Sequence, residues 1–215
     1  VQSDPDPGDI IETNGQTVAQ YVERWGGEAT YRDVVTDDAE ELRAAIERDL
    51  DHDIVVTTGG SSVGERDIVP EVVAELGEVF VHGVALKPGH PVALGVVEGS
   101  PVLMLPGYPV ACIVNAVQFL RPAIAAAGHR QTATLPTTEA RLAQKIPSEP
   151  GVRTFARVAL ETDENGERRA TPTRTKGAGV LSSVALSDGW VVVPEDLEGY
   201  AEGDNVAVEE WEGCL

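Results

Sequence analysis

Lysine is scarce in this chain of 215 residues: it occurs only at Lys87, Lys145 and Lys176. The 16 basic residues face 36 acidic ones, for a net charge of −20. Nucleic acid and anionic membranes are gripped by basic faces, so neither is an expected partner. Acid at this density repels itself in dilute buffer and is screened by molar salt, so the chain is expected to be halophilic. Cysteine is equally sparse. Cys112 and Cys214 are the only two, they have no metal-ligand spacing to each other or to a histidine, and they cannot build a disulfide framework. Free thiols in a reducing compartment are expected. No uninterrupted apolar run approaches the roughly 18 residues that cross a bilayer, and no charged-then-apolar leader opens the sequence. A cytoplasmic location is the expectation.

What is present centres on the stretch from Asp53 to Asp67. Ile54, Val55 and Val56 form a short β-branched run that stops at Thr57-Thr58-Gly59-Gly60-Ser61-Ser62-Val63-Gly64. A glycine-rich turn at the carboxyl end of a strand lets a ligand approach peptide N–H groups closely, which suits an anion. The turn lacks both the GK[ST] of a Walker A loop and GxGxxG, so it offers neither an NTPase nor a dinucleotide fingerprint. Asp67 follows, where a carboxylate beside an anion suggests a Mg²⁺ ligand or a general base; an N-cap for the next helix is the plain alternative. Lys87, before Pro88-Gly89, could hold a phosphate or oxyanion as a point charge or be an ordinary surface lysine. Pro106-Gly107-Tyr108-Pro109 reads as a rigid strand-to-helix turn with N–H groups available to an anion. Lys176-Gly177-Ala178-Gly179 reads as a second basic loop or a simple hairpin turn.

The hydrophobic pattern alternates helix and strand up to about residue 130. Helices are expected over about Gln16 to Trp25, Ala39 to Leu50, Val69 to Leu76 and Pro109 to Leu120, the last kinked or broken at Arg121-Pro122 and followed by a shorter stretch ending at Gly128. Strands are expected at Ala29–Val35, Ile54–Val56 and Val79–Leu86, with a hairpin at Val92–Leu105. This alternation predicts an α/β doubly wound, mostly parallel sheet. From Thr132 onward only short strands between Gly, Pro, Asn and Asp turns remain, which predicts a small all-β unit. The boundary is placed so that 1–131 is the α/β domain and 132–215 the β domain.

Several motifs in register carry a resemblance. Thr58-Gly59-Gly60-Ser61-Ser62-Val63-Gly64-Glu65-Arg66-Asp67 resembles the T/S-G-G-V-S-V-G-x-x-D motif of the MoeA/gephyrin E-domain family of molybdopterin molybdenumtransferases. Lys87-Pro88-Gly89-His90-Pro91 is similar to its K-P-G-K-P, Leu105 to Ala111 to its L-P-G-N-P-V-S, and Ile11-Glu12-Thr13-Asn14 to its Y-D-[ST]-N. Arg174 to Ser183 resembles its G-S-G-x-L-S-S region.

The resemblance implies a three-layer α/β/α molybdopterin-binding domain and a C-terminal β-barrel. It implies insertion of molybdate or tungstate into adenylylated molybdopterin with release of AMP, assisted by a divalent cation such as Mg²⁺. Asp67 and Glu12 would be catalytic and metal-facing carboxylates, with Lys87 a catalytic cation. Thr58, Gly59, Gly60, Ser61, Ser62, Gly64, Pro106, Gly107 and Pro109 would hold the substrate. A homodimer is implied for the full-length protein, and the acidity points to a haloarchaeal member.

Departures are visible too. The family's N-terminal domains and the first strand of its binding domain, ending in S-T-G-D-E, do not precede the resemblance here. Tyr108 replaces an Asn, Ala111 a Ser and His90 a Lys. A non-catalytic molybdopterin- or molybdate-binding module, or a scaffold, is the alternative.

Overall fold

The computed structural model describes residues 12–36, 38–60, 68–173 and 182–212. The chain splits into two compact units, Val1–Val84 with Pro91–Thr132, and Ala85–His90 with Ala133–Leu215.

The first unit opens with helix α1 (Asn14–Arg24), whose Val18 and Tyr21 are buried. Tyr21 stacks on Trp25 with ring centroids 5.2 Å apart. Helix α2 (Ala39–Arg48) starts at Asp38, whose carboxylate accepts the N–H groups of Glu40 and Glu41. That is the standard solution for otherwise unpaired first-turn donors. Strand β1 (Val55–Thr58), helix α3 (Ile68–Leu76) and strand β2 (Glu78–His82) follow. Next in sequence is β3 (Leu86–Lys87), which belongs to the second unit. Strands β4 (Ala93–Val97) and β5 (Ser100–Leu105) then form a hairpin.

The sheet order is β1-β5-β4-β2. Only β1–β5 is parallel; β4–β5 and β2–β4 are antiparallel. The expectation of a mostly parallel sheet is therefore corrected for the described strands. Its physical reason is the two-residue turn at Glu98 and Gly99, both at positive φ, a geometry that returns the chain antiparallel to itself.

Alternate residues of β5 serve two cores. Val102 and Met104 pack with Leu42, Ile46, Val69 and Val73. Leu103 and Leu105 pack with Val18, Cys112, Ala116 and Leu120. The strand period of two sends successive side chains to opposite faces, and helices lie in both cores.

Three local expectations are corrected. Residues 29–35 form no strand. Their anchors are side chains: Arg32 bonds Asp49, and the His52 ring lies 3.0 Å from the Thr30 hydroxyl. A β-prone sequence without a ladder partner has nowhere to place its backbone bonds. The strand expected over 79–86 is split after His82, where Gly83 takes φ +86. Finally, Pro109–Ala127 forms one helical run of 19 residues, long and apolar enough to cross a membrane by length and composition. Asn115, Gln118 and Arg121 interrupt its apolar run in sequence, which is why counting missed it. It is 61% buried within the protein, as a core helix is. Within it, α4 (Pro109–Asn115) widens into a π-helical turn at Ala116–Leu120 before α5 (Arg121–Ala127). Pro122 has no N–H and crowds the carbonyl four residues back, at Gln118, so the wider turn falls where the ordinary ladder cannot continue.

The second unit holds β6 (Thr137–Leu142), β7 (Ile146–Pro147), β8 (Arg153–Thr162), β9 (Arg168–Pro172), α6 (Ser182–Ala185), β10 (Gly189–Val193), β11 (Gly199–Tyr200) and β12 (Asn205–Glu209). Its main sheet runs β10-β12-β6-β9-β8-β3, and β10 pairs again with β8. That second pairing closes a small barrel around Leu142, Val158, Ala170, Val191, Val193, Val206 and Val208. β3 lies alongside β8 in parallel. Trp190 sits edge-on to Phe155, stacks on Trp211 at 4.5 Å, and donates its indole N–H to Glu209. The basic loop expected at Lys176–Gly179 lies outside the described residues.

Candidate functional site

Two turns leave the first sheet side by side. Thr58 pairs with Leu105 at the ends of β1 and β5, and the chain continues as Gly59-Gly60 from one strand and Pro106-Gly107 from the other. The Gly59 N–H donates to the Leu105 carbonyl at 2.9 Å. Gly59 has φ +99 and Gly60 φ +69, conformations that favour glycine. The turns touch directly: a Cβ on Gly107 would lie 3.2 Å from Gly59 Cα. A Cβ on Gly60 would lie 2.5 Å from Val69 Cγ2. A side chain would be strained by φ at Gly59 and Gly60 and crowded by contact at Gly60 and Gly107, so backbone dominates the strand ends.

The start of α1 joins this junction. The Asn14 side-chain amide donates to the Gly107 carbonyl at 2.7 Å, tying the helix to the second turn. Thr13 is the N-cap by position but makes no side-chain cap bond. Glu12 does that work instead: its Oε1 accepts the Gly15 N–H at 2.6 Å. Its Oε2 accepts the Tyr31 hydroxyl at 2.9 Å. The bond to Glu12, aided by burial and by the Glu12 charge, raises the Tyr31 pKa. Cys112, in α4, is pushed up to about 12 by burial, with the Glu12 charge adding to it. This thiol stays protonated and is no nucleophile.

Tyr108 is the N-cap of α4, makes no side-chain cap bond and is 55% exposed. Pro109 occupies the first helical turn, where its missing N–H costs nothing.

Of the residues singled out in the sequence, the structure thus brings together Thr58, Gly59, Gly60, Pro106 and Gly107, with Pro109 following in the chain and Glu12 capping the helix start that Asn14 ties to Gly107. Ser61, Ser62, Gly64 and Asp67 lie outside the described residues. Lys87 is in the second unit, where its ammonium pairs with Glu149 at 3.0 Å and both side chains are largely exposed. Sequence reasoning missed Tyr31, whose contact with Glu12 spans 19 residues and carries no local signal. It also gave Asn14 no site role beyond its place in the Ile11–Asn14 motif. Among the described residues no group of three or more His, Cys, Asp or Glu side chains could hold a metal. Mg²⁺, however, commonly takes one or two carboxylates with substrate phosphate oxygens and water, and Glu12 is the described carboxylate that would serve such a site.

A family model described as "Probable molybdopterin binding domain" matches residues 3–126, and one described as "MoeA C-terminal region (domain IV)" matches residues 139–211. The chain belongs to the MoeA family. It is 40% identical over 202 residues to a protein of Methanocaldococcus jannaschii provisionally named for molybdopterin biosynthesis, covering 94% of this chain and 47% of the relative. It is 30% identical over 210 residues to the molybdopterin molybdenumtransferase of Bacillus subtilis, covering 96% of this chain and 48% of that protein. Among solved structures, a molybdopterin biosynthesis MoeA protein from Pyrococcus horikoshii superposes with a TM-score of 0.83 at 36% identity, covering 99% of this chain and 51% of that one. The chain therefore spans about half the length of the relatives it matches.

Proposed function

We propose that this chain carries the pterin-binding turns of a molybdopterin molybdenumtransferase, which inserts molybdate or tungstate into adenylylated molybdopterin and releases AMP. The observation that carries this reading is the pair of glycine turns, Gly59-Gly60 and Pro106-Gly107, which meet each other and are tied through Asn14 to the helix start that Glu12 caps. Their backbone surface suits the pyrophosphate of the substrate, and Asn14 holds the second turn in place. The Gly59 N–H is already given to the Leu105 carbonyl, so the other peptide groups of the turns would face the phosphoanhydride, and dipoles fixed in this way stabilise developing charge without reorganisation. Glu12 and Asp67 would hold a divalent cation, Mg²⁺, which supplies charge neutralisation between carboxylate and pyrophosphate when bound. Lys87 would add positive charge for the oxyanion. Thr58, Ser61, Ser62, Gly64, Pro106 and Pro109 complete the proposed substrate contacts.

The same reading takes residues 1–131 as a three-layer α/β/α doubly wound domain, which the two cores flanking β5 support, and residues 132–215 as the barrel domain. It takes the full-length protein as a cytoplasmic, halophilic homodimer acting on small molecules, with no nucleic-acid or membrane partner.

The test is AMP release from adenylylated molybdopterin and molybdate by the full-length protein. Release that Asp67→Ala abolishes is the expected result. Tight pterin binding without any AMP release would overturn the enzyme in favour of a non-catalytic binding module. One observation favours that second reading: Tyr108 brings no side-chain cap bond to the turn where relatives of the motif carry Asn.

A further inference from the structure

We propose that Tyr31 is a positioning residue that holds the Glu12 carboxylate as a preoriented ligand for a divalent cation. The inference rests on the reading of Glu12 as a cation-facing group, and it concerns a residue outside every motif.

Glutamate is a flexible side chain, and fixing it costs rotamer entropy. Here both oxygens are fixed. The Gly15 N–H takes Oε1 at 2.6 Å, and the Tyr31 hydroxyl takes Oε2 at 2.9 Å. The first bond is local to the helix start. The second comes from the segment after α1, and that segment is anchored on both sides of Tyr31. Thr30 meets the His52 ring at 3.0 Å, and Arg32 donates to Asp49 at 2.7 Å. The place of the ring is therefore set by the fold. It lies over the helix start so closely that a Cβ on Gly15 would come within 2.8 Å of Tyr31 Cε2.

Both donors are neutral. The ion pairs among the described residues include Asp49, Glu75, Glu149 and Glu195 but none of Glu12. An ionised carboxylate has about four lone-pair positions. Two are used by these donors, and no cation among the described residues pairs with Glu12, so oriented lone-pair positions remain for a cation. Outer hydrogen bonds of this kind fix a metal ligand's direction, and their loss typically costs 10–100-fold in metal affinity.

The experiment uses the full 215-residue chain, isotopically labelled, in concentrated KCl so that the acidic surface is screened. Mn²⁺ is titrated in with pyrophosphate present to supply the phosphate oxygens, and paramagnetic broadening of the Asn14 amide resonance reads binding at this place. In the wild type the resonance should broaden at Mn²⁺ concentrations that leave Glu12→Gln untouched. Tyr31→Phe should need roughly tenfold more Mn²⁺ with an unchanged circular dichroism spectrum. Gly15→Ala is the second variant. Its methyl displaces the Tyr31 ring while improving helix propensity, so it should weaken Mn²⁺ binding without weakening the fold. In the full-length enzyme, Tyr31→Phe should raise the half-saturating Mg²⁺ concentration and leave kcat at saturating Mg²⁺ in place. Tyr31→Phe that broadens like wild type, while Glu12→Gln does not, overturns the role of Tyr31 and leaves the reading of Glu12 standing. Equal broadening in wild type and Glu12→Gln overturns both.

Discussion

The two units solve the same problem, a sheet with exposed backbone edges, in opposite ways. In the second unit β10 pairs with both β12 and β8, and the barrel closes on its own hydrogen bonds. Closure removes edges altogether. In the first unit β1 and β2 end the sheet, with no further strand paired to either among the described residues. The open sheet has strand ends at which turns can be displayed, and the glycine junction is built there. The closed unit uses tight glycines inside its strand pairings instead, at Gly189 against Val208 and Glu209 and at Gly199 against Ile146, while Gly151 and Gly166 lie in open space. If the proposed site is right, the difference teaches that the open sheet carries the ligand turns and the closed barrel does not.

Four substitutions sharpen or break that contrast. The largest effect on folding is expected from Trp190→Ala, which removes a side chain 1% exposed together with its packing on Phe155 and Trp211. A loss of about 3–5 kcal/mol is expected, measured by chemical denaturation with pyrophosphate binding to the first unit followed alongside. Loss of that binding in a folded variant would show that the halves do not divide the work. Next is Gly107→Ala, whose methyl would press on Gly59 Cα at 3.2 Å. It should cost about 1–3 kcal/mol and abolish pyrophosphate binding in calorimetry, the reverse of the Trp190 pattern.

Asp49→Asn is smaller. The Arg48 guanidinium, with Arg32 helping, holds the Asp49 carboxyl down from 3.8 to about 2 against a burial effect that opposes them. A depressed carboxyl stabilises the fold above its unfolded pKa, and that contribution disappears as pH falls through the folded value. Because both arginines are partly exposed, solvent screening reduces the contribution to about 1 kcal/mol. The difference between wild type and variant should be full at pH 5 and above and be lost as pH falls through about 2, in melts that extend below that pH. Lys87→Ala should be smallest for stability, within about 0.5 kcal/mol, since its pair with Glu149 is exposed. AMP release should nonetheless fall about tenfold if Lys87 serves the reaction. Unchanged release would return it to an ordinary surface lysine.

How much of this was legible beforehand depended on distance along the chain. The hairpin within Val92–Leu105 and the Pro106–Pro109 turn are encoded within a few residues, and each formed where the sequence placed it. The 29–35 segment misled because β propensity describes a residue's fit to a sheet, not whether a neighbouring strand exists. At the junction, Gly59, Gly60 and Gly107 were legible as glycine in turn context. Tyr31 was not, since nothing near it in sequence announces a partner 19 residues earlier. Lys87 was read with the first unit because it follows β2, yet its strand pairs with Arg153 and Thr154.

That last pairing has a bearing on how the gene can be cut. The chain enters the second unit at Ala85, leaves it after His90 and returns at Ala133. No single break point separates the halves. A piece beginning at residue 133 would lack β3 and bare the side of β8 at Arg153 and Thr154, while a piece ending at 132 would carry that orphan strand with it. Dissection therefore requires a splice across 85–90. Shuffling of the two halves between lineages would have to move both stretches together, so the barrel travels as an interrupted passenger of the domain it follows.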